Sequence, residues 1–345
     1  MDGEGITGTG RGDPLARVTA MAHRAIAALD LPPDGWSMTR LGLHDDDQLV
    51  RAVLRLDRAG LPSMVVKAQL RPANPAEFAS DVARNAAAYD AFPRSRDLGM
   101  PEVLWRDDAG MACATRYIPG LRMSQAMRRT WHGERLTLLT GTGRWLAALH
   151  RSGDPGRAPF HPRGAVQQWR QKAEAVRART ERVAARPLFL GLAADLRRRA
   201  GQLAADGPFD VPYALPHGDA HLGNFIRGEA GGTWGFDLYP HGWRPVAIDV
   251  AKLLTDFTTL FHFPDEISAE HPIPPETLAA FMRGYDLLPM DDPALDLLVR
   301  AELLRILSTV PADPARRSHG KTRTLDRLLP ILKRLAETSP GRRRR

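Results

Sequence analysis

The sequence predicts an α+β chain in two lobes, a small N-terminal antiparallel-sheet lobe and a larger, mainly helical C-terminal lobe. Three observations carry this. Three strand-like runs lie between residues 36 and 70 and two more between 102 and 117, with one helical segment between the groups. Pro119-Gly120 marks a break, after which 121–210 reads as helical and Arg-rich. A compact stretch at 211–249, dense in His, Asp and Gly, is then followed by helices to the end. The predicted boundaries are a disordered N-terminus at 1–12, an N-terminal lobe at 13–118, a C-terminal lobe at 119–338 and a basic tail at 339–345.

Each element has a local reason. Asp13 and Pro14 read as an N-cap and first helical residue, opening a helix to about Leu31. The strands are expected at 36–41, 48–57 and 63–70. In the second, Val50, Ala52, Leu54 and Leu56 share one face and Arg51 and Arg55 the other, as a half-buried strand requires. Asn74-Pro75-Ala76-Glu77 predicts a capped helix running to about Phe92. Further strands are expected at 102–106 and 111–117. In the second lobe, helices are expected at 137–151, 167–186 and 188–205, then at 250–261, 275–285, 293–307 and 322–337.

Composition narrows the function. The chain has 345 residues, 43% of them hydrophobic, enough for one large domain or for two lobes, each with its own core. No run reaches the roughly 18–20 apolar residues of a membrane span, and no signal-peptide pattern opens the sequence. The single cysteine, Cys113, excludes an internal disulfide framework, so a cytoplasmic enzyme is expected. The net charge is +8, yet neither a zinc spacing nor an aromatic-interleaved basic patch is present, which argues against an obligate nucleic-acid partner.

The chemistry concentrates at 215–225, L-P-H-G-D-A-H-L-G-N-F, with Trp234-Gly235-Phe236-Asp237 beyond a Gly-Gly turn. Phosphoryl transfer needs a carboxylate to orient the nucleophile, and an Asp and a neutral amide oxygen to hold the metal that bridges the phosphates. Asp219, Asn224 and Asp237 supply that set. As isolated residues, His217, Asp219 and His221 would read as a polar turn; their order and spacing argue for chemistry.

The segment resembles the H-G-D-x-H-x-x-N loop of the aminoglycoside phosphotransferase and choline kinase superfamily, relatives of the protein kinases. The resemblance implies a bilobal protein-kinase-like fold, a nucleotide-binding first lobe and a catalytic and acceptor-binding second lobe. It implies transfer of the γ-phosphate of ATP, with Mg2+, to a small-molecule acceptor. Asp219 would position the substrate hydroxyl, Asn224 and Asp237 would bind metal, and His217 would shape the loop. Asp249, in Asp249-Val250-Ala251, would bond backbone amides of the loop. His221 reads as structural or as a substrate contact. Lys67, in the apolar run Met64-Val65-Val66-Lys67-Ala68, would grip the α- and β-phosphates. The stretch 115–120, with Thr115 and Tyr117, resembles the interlobe linker whose backbone pairs with adenine.

Two features depart from the family pattern. Asp45, Asp46 and Asp47 stand where the phosphate-covering loop usually has small residues; three acids beside a triphosphate repel it unless they turn outward. Asn85 stands where a Glu partner for Lys67 is expected, and Asp81, one turn earlier, is a possible substitute, with Glu77 further away. A nucleotide-binding protein with weak or no catalytic activity is therefore the alternative, and a metal-dependent hydrolase is a third reading. The acceptor (antibiotic, sugar, amino alcohol or another), the choice of ATP over GTP and the oligomeric state are not written in the sequence. Tyr239, Trp243, Asp265 and Glu266 are acceptor-site candidates; Tyr239, His241, Trp243 and Arg244, close behind Asp237, either line the acceptor pocket or pack the loop.

Overall fold

The computed structural model describes residues 13–45, 49–71, 74–93, 95–239, 242–268 and 270–338. The expected disordered N-terminus and basic tail, Asp46, Asp47 and His241 lie outside them. The chain divides into two compact units, one formed by residues 1–92 and 100–119, the other by 93–99 and 120–345.

The first unit opens with α1 (Pro14–Ala28), whose first turn is capped by the Asp13 side chain accepting from the Leu15 N–H at 2.9 Å. Strands β1 (Ser37–Asp45), β2 (Val50–Asp57) and β3 (Met64–Arg71) follow, then helix α2 (Pro75–Ala91). Asn74 caps α2 by accepting from the Glu77 N–H. Strand β4 (Leu98–Gly99) belongs to the second unit, and β5 (Val103–Arg106) and β6 (Ala112–Arg116) return to the first. The first unit's sheet runs β1-β2-β3-β6-β5, all antiparallel, with β3 at its centre. One face is buried by α1 through Val18, Ala22 and Ile26 against Leu54, Met64 and Val66. On the other face Phe78 and Val82 of α2 pack with Cys113 and Val103.

β1 runs to Asp45 where the sequence suggests an end at Leu41. A register shift between Arg40 and Gly42 leaves Leu41 as an extra residue, and the pairing with β2 resumes beyond it. Asp45 is exposed at the strand's end.

The second unit is mainly helical. In chain order it adds β7 (Gly120–Arg122), α3 (Met123–Arg128), α4 (His132–Ser152), β8 (Gly156–Phe160), α5 (Pro162–Ala165), α6 (Gln167–Arg177), α7 (Arg186–Ala205) and β9 (Phe209–Ala214). There follow β10 (Phe225–Gly228), β11 (Thr233–Gly235), β12 (Arg244–Pro245), α8 (Ala247–Phe261), α9 (Pro275–Met282), α10 (Pro293–Ser308) and α11 (His319–Thr338). Two small sheets, β4-β11-β10-β7 and β12-β9-β8, brace the helices. Trp145, Phe189, Phe225, Phe257, Phe281 and Tyr285 are fully buried at the centre. Among the described residues no helix is long and apolar enough to cross a membrane.

Two expectations are corrected here. The stretch 121–210 is not helical throughout, because β7, β8 and the start of β9 lie in it. β8 reads G-R-A-P-F, without alternation and with a proline; its strand character comes from pairing with β9, a partner 51 residues away at Pro159 and Asp210 in register. The helix expected at 167–186 stops at Arg177. Arg179 turns into the left-handed region (φ 62°), Thr180 N–H bonds Ala175 O and Arg179 N–H bonds Val176 O. This is a Schellman termination with arginine in place of the usual glycine, so the sequence carries no stop signal.

Gly120 begins β7 at φ 151°, and a Cβ there would meet the Arg227 carbonyl oxygen at 2.2 Å. That oxygen belongs to β10, paired with β7, so it cannot retreat without breaking the ladder. Gly120→Ala is expected to cost about 1–3 kcal/mol, read as a lower midpoint of thermal unfolding.

Candidate functional site

The 215–225 loop is held from below by one face of α8. Asp249, Lys252 and Asp256 are spaced three and four apart, which places them on one side of a helix. Asp249 accepts from the His217 N–H (2.6 Å, Oδ2) and the Gly218 N–H (3.0 Å, Oδ1). Lys252 Nζ donates to the Gly218 carbonyl and to Asp219 Oδ1, both at 2.8 Å. Asp256 accepts from the Leu222 N–H at 2.9 Å.

Behind this face runs a buried polar chain. Tyr285 Oη lies 2.7 Å from His150 Nδ1, and His150 Nε2 lies 3.1 Å from Asp249 Oδ2. His150, Asp249 and Tyr285 are all fully buried. Burial pushes the Asp249 carboxyl up, but the His150 hydrogen bond, the nearby imidazoles and the His217 amide outweigh it and hold it below the ordinary range.

His217 is also fully buried, its ring 5.9 Å from Trp145 and 5.5 Å from Phe225. Desolvation drives its pKa down. The ring accepts a long bond from the Asp219 N–H (3.4 Å), so it packs and shapes the loop from within. Trp145 donates its indole N–H to Gly99 O (2.7 Å), and β11 lies against the same ring: a Cβ on Gly235 would meet it at 2.3 Å.

Asp219 stands partly exposed at the loop's turn. His221 Nε2 at 3.5 Å and Lys252 at 2.8 Å hold its carboxyl well below the usual carboxylate range, against the opposing pull of partial burial. The shorter lysine contact is the firmer hold. His221 Nδ1 accepts from the Gly223 N–H (3.1 Å), which leaves Nε2 as the proton-bearing nitrogen facing Asp219.

Asn224 is buried, and its Nδ2 donates to Asp219 O (3.0 Å) and Oδ2 (3.3 Å). The amide is thereby oriented, with Oδ1 as its acceptor. Hairpin β10–β11 pairs Phe225 with Gly235, and Phe236 N–H returns to Asn224 O at 3.1 Å. Asp237 follows at φ 57°, a left-handed conformation that Asp tolerates better than most residues, and is exposed. Tyr239 N–H then ties back to His217 O at 2.7 Å. The fold thus brings Asp219 and Asn224 into contact and links Asp237 to them through the hairpin backbone.

Oxygen donors from one Asn and one Asp suit Mg2+, which takes few protein ligands and completes its shell with phosphates and water. Among the described residues no three His, Cys, Asp or Glu side chains gather to hold a metal, so a cage built wholly from such side chains has no basis there.

In the first unit, Lys67 sits on central β3, in register with Val53 and Cys113, and so on the sheet face covered by α2. Asn85, on α2, donates to the Asp81 carbonyl (2.8 Å), and the Asp81 carboxylate is paired with Arg84. Thr115 pairs with Val65 and Val103 in the sheet; Tyr117 donates its N–H to Ser63 O (3.0 Å), with the Arg55 guanidinium 4.1 Å above its ring.

The acceptor-site candidates are scattered. Tyr239 and Trp243 are exposed, two and six positions past Asp237. Glu266 accepts from the Phe263 N–H (2.6 Å) and lies 3.0 Å from His262 Nδ1, which commits it to a local turn shared with Asp265.

Lys252, Asp256, His150 and Tyr285 escape a sequence reading. Lys252 had one available signal, its position one helical turn past Asp249. Lys252→Met is expected to lower turnover about 10- to 100-fold, the worth of a charge-assisted hydrogen bond, measured as ADP release. Because Lys252 stabilises the Asp219 carboxylate, its loss raises the carboxyl pKa, and the acid limb of kcat/KM moves to higher pH.

Comparisons with known proteins bear on the family and the fold. The model of the phosphotransferase enzyme family (APH) matches residues 28–298. A glucosamine kinase, solved in complex with glucosamine, ADP and inorganic phosphate, is similar in structure with a TM-score of 0.53 at 17% identity, over 93% of this chain and 83% of that one. The choline kinase of Streptococcus pneumoniae gives 0.55 at 16% identity, over 92% and 98%. A spectinomycin phosphotransferase in complex with ADP and spectinomycin gives 0.51 at 13% identity, over 87% and 91%. A search of curated proteins gives no match. At these identities the structures establish the protein-kinase-like fold, and the family model, which spans most of the chain, establishes that the protein belongs to the phosphotransferase enzyme family, in the aminoglycoside phosphotransferase and choline kinase superfamily.

Proposed function

We propose that the protein transfers the γ-phosphate of Mg-ATP to a hydroxyl group of a small molecule. The observation that carries this reading is the loop geometry: a partly exposed, ionised Asp219 bonded to an Asn224 whose amide oxygen is left as acceptor, with the loop backbone fixed by Asp249. Asp219 orients the acceptor hydroxyl and receives its proton. In a loose phosphoryl-transfer transition state that proton leaves late, so an ionised carboxylate of low basicity suffices. Asn224 Oδ1 and the Asp237 carboxylate hold Mg2+, which when bound neutralises charge on the β- and γ-phosphate oxygens. Lys67, in the first unit, grips the α- and β-phosphates. The adenine edge meets the backbone at Thr115 and Tyr117; since the Tyr117 N–H is taken by Ser63 O, that residue contributes its carbonyl. His217 and Asp249 support the loop, and Tyr239 and Trp243 are retained as acceptor contacts.

A second reading, a kinase-fold nucleotide-binding protein with weak or no turnover, is favoured by one observation. The α2 position where the family pattern has an acidic partner for Lys67 is held by the neutral amide Asn85, and the Asp81 carboxylate one turn earlier is paired with Arg84.

Thermal-shift titration with ATP and GTP, with and without Mg2+, followed by ADP release across a panel of hydroxylated metabolites and antibiotics, separates the two. Stabilisation by nucleotide with turnover of any acceptor supports the enzyme. Stabilisation without turnover supports the second reading. No stabilisation, with hydrolysis of a phosphoester instead, overturns both.

A further inference from the structure

The sheet face that carries Lys67 also carries a second cation. Along β2, Val50, Ala52, Leu54 and Leu56 are buried on the α1 side, which puts Arg51, Val53 and Arg55 on the opposite face. Along β3 the same alternation puts Val65, Lys67 and Gln69 there. Arg51 stands in register with Gln69, and Val53 with Lys67. Arg51 and Lys67 are therefore diagonal neighbours on one face, about 7–8 Å apart at the backbone, a spacing that two long side chains span.

The fold itself gives Arg51 little to hold. Two cations placed this close on a half-buried face repel each other. Among the described residues Arg51 forms no ion pair. Its one hydrogen bond there runs from Nη2 to the neutral Gln69 Oε1 at 3.1 Å, and its buried Nε has no acceptor. A guanidinium taken partly out of water with donors unmatched is a costly arrangement until an anion completes it. Turning the group onto such an anion gives up only the Gln69 bond.

The place of Arg51 in the chain points to the class of anion. It is the second residue of β2, just past the connection from β1. Asp45 ends β1, and Asp46 and Asp47 follow in the sequence. Acids next to a triphosphate repel it, and the single ammonium of Lys67 offsets only part of that charge. A guanidinium at the foot of the same connection adds a second positive charge. It also adds planar paired N–H donors, which match phosphate oxygens where an ammonium acts as a point charge.

We propose that Arg51 is a second phosphate ligand of the nucleotide, acting beside Lys67 on the same sheet face and offsetting the acidic connection between β1 and β2. The proposal rests on the nucleotide binding contained in the reading given above, and not on turnover.

Calorimetric titration of the full chain with Mg-ATP and with adenosine tests it, on wild type, Arg51→Met, Arg51→Lys and Lys67→Met. Arg51→Met is expected to weaken ATP binding about tenfold or more, the worth of a hydrogen bond to a charged group, with adenosine affinity unchanged. Arg51→Lys keeps the charge and is expected to hold ATP within about threefold of wild type. ATP affinity unchanged in Arg51→Met overturns the proposal. So does an equal weakening of ATP and adenosine, or a loss in Arg51→Lys as deep as in Arg51→Met, since either marks a packing role. The Lys67→Met arm separates this claim from the reading beneath it. ATP binding lost in Lys67→Met but intact in Arg51→Met removes Arg51 alone. No ATP binding by wild type removes the phosphotransferase reading, and the proposal with it.

Discussion

Asp219→Ala is expected to lower turnover by about 10²- to 10⁴-fold while Mg-ATP binding is kept, because the role proposed for the side chain is on the acceptor hydroxyl and not on the nucleotide. The variant removes the one carboxylate that Lys252 and His221 converge on, yet Lys252 retains the Gly218 carbonyl and the loop retains Asp249. The defect is therefore expected in kcat, with little change in fold. Steady-state ADP release and calorimetric ATP binding on the same preparation separate these effects, and full turnover in the variant would remove Asp219 from its assigned role. The pH dependence has a definite sign. The folded-state pKa of Asp219 is depressed below its unfolded value, so the carboxylate and its ion pair are present above the unfolded pKa of about 3.9 and lost only as pH falls through the lower folded value. Any loss of activity between about pH 5 and 7 must then come from another group.

Asp249→Ala is expected to produce the largest loss of stability. Asp249 is completely buried and satisfies three partners at once: His150 and the amides of His217 and Gly218. Removing a buried carboxylate on which several donors converge costs about 3–5 kcal/mol, because the partners stay buried without compensation. For a unit of this size that corresponds to a fall in Tm on the order of 10 °C. The loss also frees the loop that carries Asp219 and Asn224, so turnover is expected to fall together with stability. Asp249→Asn keeps an acceptor oxygen for the amides and is expected to lie between the alanine variant and wild type. Differential scanning calorimetry checks both; an unchanged Tm in Asp249→Ala would show that the loop is anchored elsewhere.

What the sequence made legible follows the range of the interactions involved. The starts of α1 and α2 were readable because Asp13-Pro14 and Asn74-Pro75 cap their own helices within three residues. The strands of the first unit were readable from alternation, since one face packs on α1. The end of α6 was not, because Arg179 takes the left-handed turn that glycine normally announces. β8 was not, because its strand character is supplied by β9. In the candidate site, the order His217, Asp219, Asn224, Asp237 was visible along the chain, since one loop and one hairpin carry it. The supporting groups were hidden by tertiary distance. Lys252 meets Asp219 across 33 residues, and His150 and Tyr285 sit in helical and loop stretches that read as ordinary packing.

ATP titration with and without Mg2+, on wild type and Asp237→Asn, tests the central claim most directly, because the proposed two-oxygen metal site at Asn224 and Asp237 separates a phosphotransferase from a mere polar loop. Wild type is expected to bind ATP tenfold or more tightly with Mg2+ than without it. In Asp237→Asn that gain is expected to vanish while metal-free ATP binding stays the same. Equal Mg2+ dependence in both proteins, or no ATP binding by wild type, would contradict the assignment of this site.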